Sequence, residues 1–217
     1  MADLIRGLRT ERIRANLDLA RSAIAATGRS LDEIQILAAV KYVAAEELPV
    51  LAEAGIELLG ENRAQDLAVK AAACPGSFTW DFIGHLQSRR VRDVLPYVRY
   101  IHSVASHSVL AQLARHAPRE TEVLVEVNVA QEPGKSGVAA NELDAFLERC
   151  PVTVVGLMTM PPFTDDPERS RPYFAMLREL AGKYGLRHLS MGTSQDYVVA
   201  VQEGATIVRL GASLYAS

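Results

Sequence analysis

The sequence predicts an α/β fold, a single closed (β/α)8 TIM barrel that carries an N-terminal helix. Three observations lead there. About eight short apolar runs alternate with helical segments, the pattern of parallel strands joined by crossover helices. The chain has 217 residues, so eight such units leave no room for a second domain, and no linker or low-complexity tract interrupts them. Small and polar residues gather just after the apolar runs, where a barrel builds its site. Residues 1–217 are therefore read as one domain. An open doubly wound sheet is the structural alternative.

Taken in order, residues 3–26 carry Leu4, Ile5, Leu8, Ile13, Leu17, Ala20 and Ile24 at roughly helical spacing, with charges on the other face. Gly28 is placed as a stop, so residues 1–28 are read as a helix packing on the barrel. The predicted strands are Ile34–Lys41, Glu57–Gly60, Trp80–Gly84, Tyr100–Val104, Val123–Val129, Val152–Met158, His188–Met191 and Thr206–Gly211. The segments between them, Glu46–Ala54, Arg63–Ala73, Ser88–Val94, Ser108–His116, Ala140–Arg149, Glu168–Tyr184 and Gln195–Glu203, carry helical patterns. Only Ala212–Ser217 follow the last strand, so the outer ring would lack a final helix unless the N-terminal helix fills its place.

Composition excludes several classes. Hydrophobic residues make up 49% and charged residues 23%, ordinary values for a globular protein. A formal net charge of −3 gives no nucleic-acid footprint. No apolar stretch approaches the roughly 20 residues of a membrane span, and the N-terminus lacks the apolar core of a secretory signal. Cys74 and Cys150 form no motif with the histidines, which argues against a disulfide scaffold or a zinc site. A cytoplasmic, reduced protein is expected.

Lys41 is the most informative residue. It ends an apolar run, and an ammonium on a buried strand is unfavourable unless it is paired or chemically used. Desolvation would expose a nucleophilic amine suited to a Schiff base with a carbonyl. The bland alternative is a strand-end lysine reaching solvent. Ser190-Met191-Gly192-Thr193-Ser194 and Arg209-Leu210-Gly211-Ala212-Ser213 follow the last two runs. Such small-residue loops suit a phosphate, which barrels often hold after strands 7 and 8. Ser194 with Asp196 also reads as ordinary helix capping. A lysine opposite a phosphate loop suggests a phosphorylated aldehyde, most commonly pyridoxal 5′-phosphate. Arg209, two residues before Gly211, points to the same face and would keep a pyridine nitrogen unprotonated. Its structural alternative is an ion pair with a barrel carboxylate.

The segments Ala39-Val40-Lys41, Gly60-Glu61-Asn62, Trp80 to Gln87, Lys135-Ser136-Gly137, Gly156-Leu157-Met158, Leu189 to Ser194 and Val208-Arg209-Leu210-Gly211 occur in this order. Together they resemble the pyridoxal phosphate homeostasis proteins, single-domain relatives of the alanine racemase N-terminal barrel. The resemblance implies a fold-type III barrel holding pyridoxal phosphate on Lys41. It implies phosphate contacts from Ser190, Ser194 and Gly211, Met191 as a further cofactor-binding residue, ring contact from Arg209, and Asn62 near the ring. It further implies cofactor buffering or delivery, with apo-enzymes as recipients and no robust turnover; a monomer is expected. The chain departs from the family where Thr usually follows the strand-8 glycine, since it has Ala212. Its tail, Ser213 to Ser217, lacks the usual glycine and basic residue.

Two other functions compete. A pyridoxal phosphate racemase needs a second acid–base group opposite the lysine, which related racemases draw from a C-terminal domain. A Schiff-base aldolase would use Lys41 without a cofactor. Asn128, Thr159 and Met160 are placed at strand ends beside the site. His85 is read as structural or as an acid–base group, and Lys135 as a solvated loop lysine or as a contact to a second cofactor phosphate or a partner. The other histidines are read as structural, and Trp80 as core.

Overall fold

The computed structural model describes residues 4–216. Eight parallel strands close in sequence order: β1 (Gln35–Ala39), β2 (Leu58–Glu61), β3 (Thr79–Phe82), β4 (Tyr100–Val104), β5 (Glu122–Glu126), β6 (Thr153–Met158), β7 (His188–Thr193) and β8 (Ile207–Leu210). The seam is β1 on β8, where Leu37 lies opposite Arg209. The strands read as near-continuous apolar runs because both faces are covered. Inward side chains, among them Leu37, Leu58, Leu124, Val155, Met158 and Ile207, fill the barrel. Outward ones join the layer between barrel and helices. The predicted strands are therefore all present, generally shorter than their apolar runs.

The outer helices are α1 (Thr10–Ala25), α2 (Leu48–Glu53), α3 (Ala64–Ala73), α4 (Val91–Val94), α5 (His107–His116), α6 (Leu143–Glu148), α7 (Arg171–Lys183), α8 (Tyr197–Gln202) and α9 (Ala212–Tyr215). A short helix, α9, follows β8 after all, and α1 stands beside it in the outer ring. α1 packs between α8 and α2 and touches α9, and Asn16 Nδ2 donates to the carbonyl of Leu214 at 2.9 Å. Its buried Ile13, Leu17, Ala20 and Ile24 recur at helical spacing. Full burial of each large side chain contributes about 1.5–3 kcal/mol before entropy is counted.

The predicted N-terminal helix is corrected at its start. Asp3 lies outside the described residues, and helix begins only at Thr10. Gly7 has φ +70°, and Arg9 is extended. Residues 4–9 instead form a strap across the barrel mouth. Ile5 bridges Val43 in parallel, and Glu47 accepts from the N–H groups of Gly7 and Leu8 at 2.7 and 2.9 Å. The apolar periodicity of Leu4, Ile5 and Leu8 continued that of the helix and concealed the break.

Two glycines shape the mouth. A Cβ on Gly84 would stand 2.0 Å from the Asn62 carbonyl oxygen, so the ends of β2 and β3 approach as only glycine permits. Gly192 has φ +89°, and a Cβ there would meet Ala200 Cβ at 2.6 Å. It lets β7 turn sharply into the loop that follows.

Candidate functional site

The C-terminal mouth of the barrel holds a cavity of about 600 Å³. Lys41, Asn62, Ser194, Arg209 and Gly211 all line it, together with Glu126, Ser136, His85 and Tyr215. The sequence-predicted residues from β1, β2, β7 and β8 thus meet in one place.

Lys41 sits two residues past β1, in a turn rather than on the strand. It is exposed, and its Nζ lies 4.8 Å from the centroid of the Tyr42 ring. The expectation of a lysine buried on a strand is therefore corrected: β1 stops at Ala39, and the amine projects into the cavity. A buried lysine is nevertheless present nearby. Lys70 on α3 donates to the Val40 carbonyl at 2.5 Å and to Glu61 Oε2 at 2.6 Å. Glu61 Oε1 in turn accepts from the N–H groups of Asn62 and Arg63. This fully internal ion pair ties the residue before Lys41 to the residue before Asn62.

The loops after β7 and β8 are stitched by Ser194. Its Oγ accepts from Gly211 N at 3.2 Å, Ser213 N at 3.1 Å and Ser213 Oγ at 2.9 Å. A hydroxyl has two acceptor lone pairs, so three donors converging on it exceed what it can satisfy. An oxyanion has that capacity. Asp196 is buried and closes the turn from the other side, accepting from Thr193 N and Oγ1 at 2.8 and 3.1 Å. Ser194 therefore does not cap α8, as the capping reading expected. Among the described residues, the N–H groups of Ser194, Gln195 and Ala212 have no protein acceptor.

Ser190, expected at the phosphate, and Met191, expected at the cofactor, do not reach the cavity. Both are completely buried. Strand alternation explains it: Ser190 points into the barrel interior, and Met191 points outward into the helix layer. The N–H groups of Ser194 and Gln195, without a protein acceptor among the described residues, lie in the loop beyond Gly192.

Arg209 is 5% exposed. Its Nη1 donates to Ser190 O and Oγ at 2.8 and 2.7 Å, and Nη2 to Thr159 O at 2.8 Å and Met160 Sδ at 2.9 Å. These acceptors are neutral, so the ion-pair alternative is not realised. Burial lowers the guanidinium to about 10, with Asp196 and Glu126 opposing the shift, and it stays cationic at neutral pH. Behind it, Ser190 Oγ lies 2.8 Å from His102 Nδ1, and His102 Nε2 lies 3.0 Å from Asp81 Oδ2.

Glu126, at the end of β5, is 8% exposed and accepts from Ser136 Oγ at 2.9 Å. Desolvation raises its pKa, against the Ser136 hydrogen bond and the charges of Arg209, His85 and Lys135. His85 Nδ1 is 3.4 Å from Ser136 Oγ. Asn128 instead closes its own loop onto Glu132, and Lys135 pairs with Glu132, so neither lines the cavity. Thr159 is buried, while Met160 reaches the wall. Glu126, Asp81, His102, Lys70 and Tyr215 were missed by sequence reasoning. Their partners come from distant strands, and no local spacing announces them. Glu126 and Asp81 carried a signal, each as a carboxylate inside an apolar run.

Residues 8–217 match the family of the alanine racemase N-terminal domain. Relatives named pyridoxal phosphate homeostasis protein span nearly the whole chain. That of Aquifex aeolicus is 37% identical over 94% of this chain and 96% of its own. That of Pseudomonas aeruginosa is 34% identical over 90% and 89%. The chain belongs to the pyridoxal phosphate homeostasis protein family. Among solved structures, PipY of Synechococcus elongatus with PLP bound is 30% identical, with a TM-score of 0.79 over 94% of this chain and 99% of that one. Alanine racemase of Corynebacterium glutamicum, 16% identical, shares the fold with a TM-score of 0.76 over 99% of this chain and 63% of its own. No helix among the described residues is long and apolar enough to cross a membrane.

Proposed function

We propose that this chain holds pyridoxal 5′-phosphate as a Schiff base on Lys41 and serves to store and hand on the cofactor, with apo-enzymes as recipients. One observation carries the reading. An exposed amine, an over-supplied set of oxyanion donors and a buried guanidinium without a carboxylate partner line the same cavity. Orphaned polar atoms fit a ligand as well: Asn62 Oδ1 and Tyr215 Oη are buried without a partner.

The cofactor supplies an aldehyde that condenses with an amine. Lys41 contributes that amine. The Ser194, Gly211 and Ser213 donors would hold the phosphate, joined by the free N–H groups of Gln195 and Ala212. Arg209 would present a fixed cation to the ring nitrogen and disfavour its protonation, so the site would be poor at stabilising a carbanion. A binding protein with little turnover follows, and the names of the relatives agree with it.

Borohydride reduction followed by peptide mapping tests the assignment. The adduct is expected on Lys41, and Lys41→Ala should lose the visible absorption band while keeping its far-UV circular dichroism. Labelling of Lys135 alone would overturn it.

A further inference from the structure

Asp81 on β3, His102 on β4, Ser190 on β7 and Arg209 on β8 form one unbroken chain through the barrel interior. Asp81, His102 and Ser190 are 0%, 0% and 0% exposed. At the far end Asp81 also accepts from Arg99 Nε and Nη2 at 3.1 and 2.7 Å, and from the Tyr100 N–H at 3.2 Å. The two ends dictate a direction. A guanidinium only donates and a carboxylate only accepts. Arg209 therefore donates to Ser190 Oγ, whose single proton must go to His102 Nδ1, and the imidazole proton must sit on Nε2 facing Asp81. Only the neutral Nε2–H tautomer satisfies every member. Protonating Nδ1 would set two donors against Ser190 and leave its hydroxyl proton without an acceptor. Burial, with Arg209 and Arg99 nearby, favours the neutral ring, while Asp81 alone pulls the other way.

Arg209 also faces competing carboxylates. Glu126 lines the same cavity and Asp196 closes the adjoining turn, and both attract the guanidinium. We propose that Asp81, His102 and Ser190 are positioning residues, a one-directional relay that holds the Arg209 guanidinium as a fixed donor at the cavity wall and keeps it from collapsing onto Glu126. The relay belongs to the chain without ligand; what Arg209 meets in the cavity rests on the pyridoxal phosphate reading.

The test has two arms on the full chain. Nitrogen-15 NMR of histidine-labelled protein without cofactor should show His102 as the Nε2–H tautomer from pH 6 to pH 8 (roughly a unit either side of neutrality). Asp81→Asn should move the proton toward Nδ1, as an amide facing the imidazole permits. In pyridoxal phosphate titrations, Ser190→Ala and Asp81→Asn should each weaken binding about three- to tenfold, although neither residue touches the cavity. The double variant should be no weaker than the worse single by more than about twofold, because both break one relay. An Nδ1–H tautomer or an imidazolium in the wild-type protein at neutral pH overturns the relay, whatever the variants do. Variants that bind like wild type, or whose losses simply add, overturn the positioning role. Absence of binding by wild-type protein overturns the cofactor reading and the role of Arg209 with it, while the NMR arm still judges the relay separately.

Discussion

Replacing Lys70 with methionine probes the internal ion pair that sets the geometry around Lys41. Methionine keeps most of the apolar stem and removes the ammonium. Two bonds go with it, to Glu61 Oε2 at 2.6 Å and to the Val40 carbonyl at 2.5 Å. Glu61 is 0% exposed and Lys70 5%, so the carboxylate would be left buried without its counter-charge. Breaking a buried pair from one side costs about 3–5 kcal/mol. The lower end applies here, since Glu61 Oε1 keeps the N–H groups of Asn62 and Arg63 at 2.6 and 3.1 Å. About 3 kcal/mol should lower the melting temperature by roughly 6–12 °C for a chain of this size. Glu61→Gln combined with Lys70→Met removes both charges and should recover about 1–2 kcal/mol of the loss. Urea unfolding of the three proteins at equal salt supplies the comparison, with the slope confirming that the unfolded states match. A single variant within about 1 kcal/mol of wild type, or a double variant less stable than the single, would refute the reasoning.

Other outcomes can be checked alongside. Glu126 has a raised pKa in the folded protein, so the folded state binds its proton more tightly and stability falls as pH rises above the ordinary value of 4.5. Glu126→Gln, which can still accept from Ser136, should therefore gain stability relative to wild type at pH 8 compared with pH 5 in urea titrations; a relative loss at the higher pH would contradict this. Ala212 lies exposed in the cavity wall beside the converging donors. Ala212→Thr adds a hydroxyl donor, expected to tighten pyridoxal phosphate binding by about tenfold or less; weaker binding would show that this loop does not hold the phosphate. Incubation of the loaded protein with L-alanine should give no D-alanine beyond a free-cofactor control, because Arg209 would oppose ring protonation in the proposed site, and turnover near ~1 s⁻¹ would reverse that expectation.

Local periodicity determined the architecture. Eight apolar runs separated by helical segments specify parallel strands with both faces buried, and each run carries that information within a few residues. The same locality made Lys41, Asn62, Ser194, Arg209 and Gly211 legible, since each lies at or just past the end of a strand and a barrel brings strand ends together. The place of α1 in the outer ring also followed from counting helices against strands. What only the tertiary structure decided depends on register and on partners far apart in the chain. A shift of one residue sends a side chain to the other face of a strand, which is why Ser190 supports Arg209 from below and Met191 packs against helices. His102 looked like any strand histidine until β3 and β7 placed Asp81 and Ser190 on its two nitrogens. Nothing local singled out Lys70 on its helix; only the fold sets the buried carboxylate of β2 against it. The strap at residues 4–9 shared the apolar spacing of a helix, and its pairing with Val43 across the barrel mouth overrode that pattern. Hydrophobic pattern is a property of neighbours in the chain. Charge pairing and hydrogen-bond direction belong to neighbours in space, and the closed barrel determines which those are.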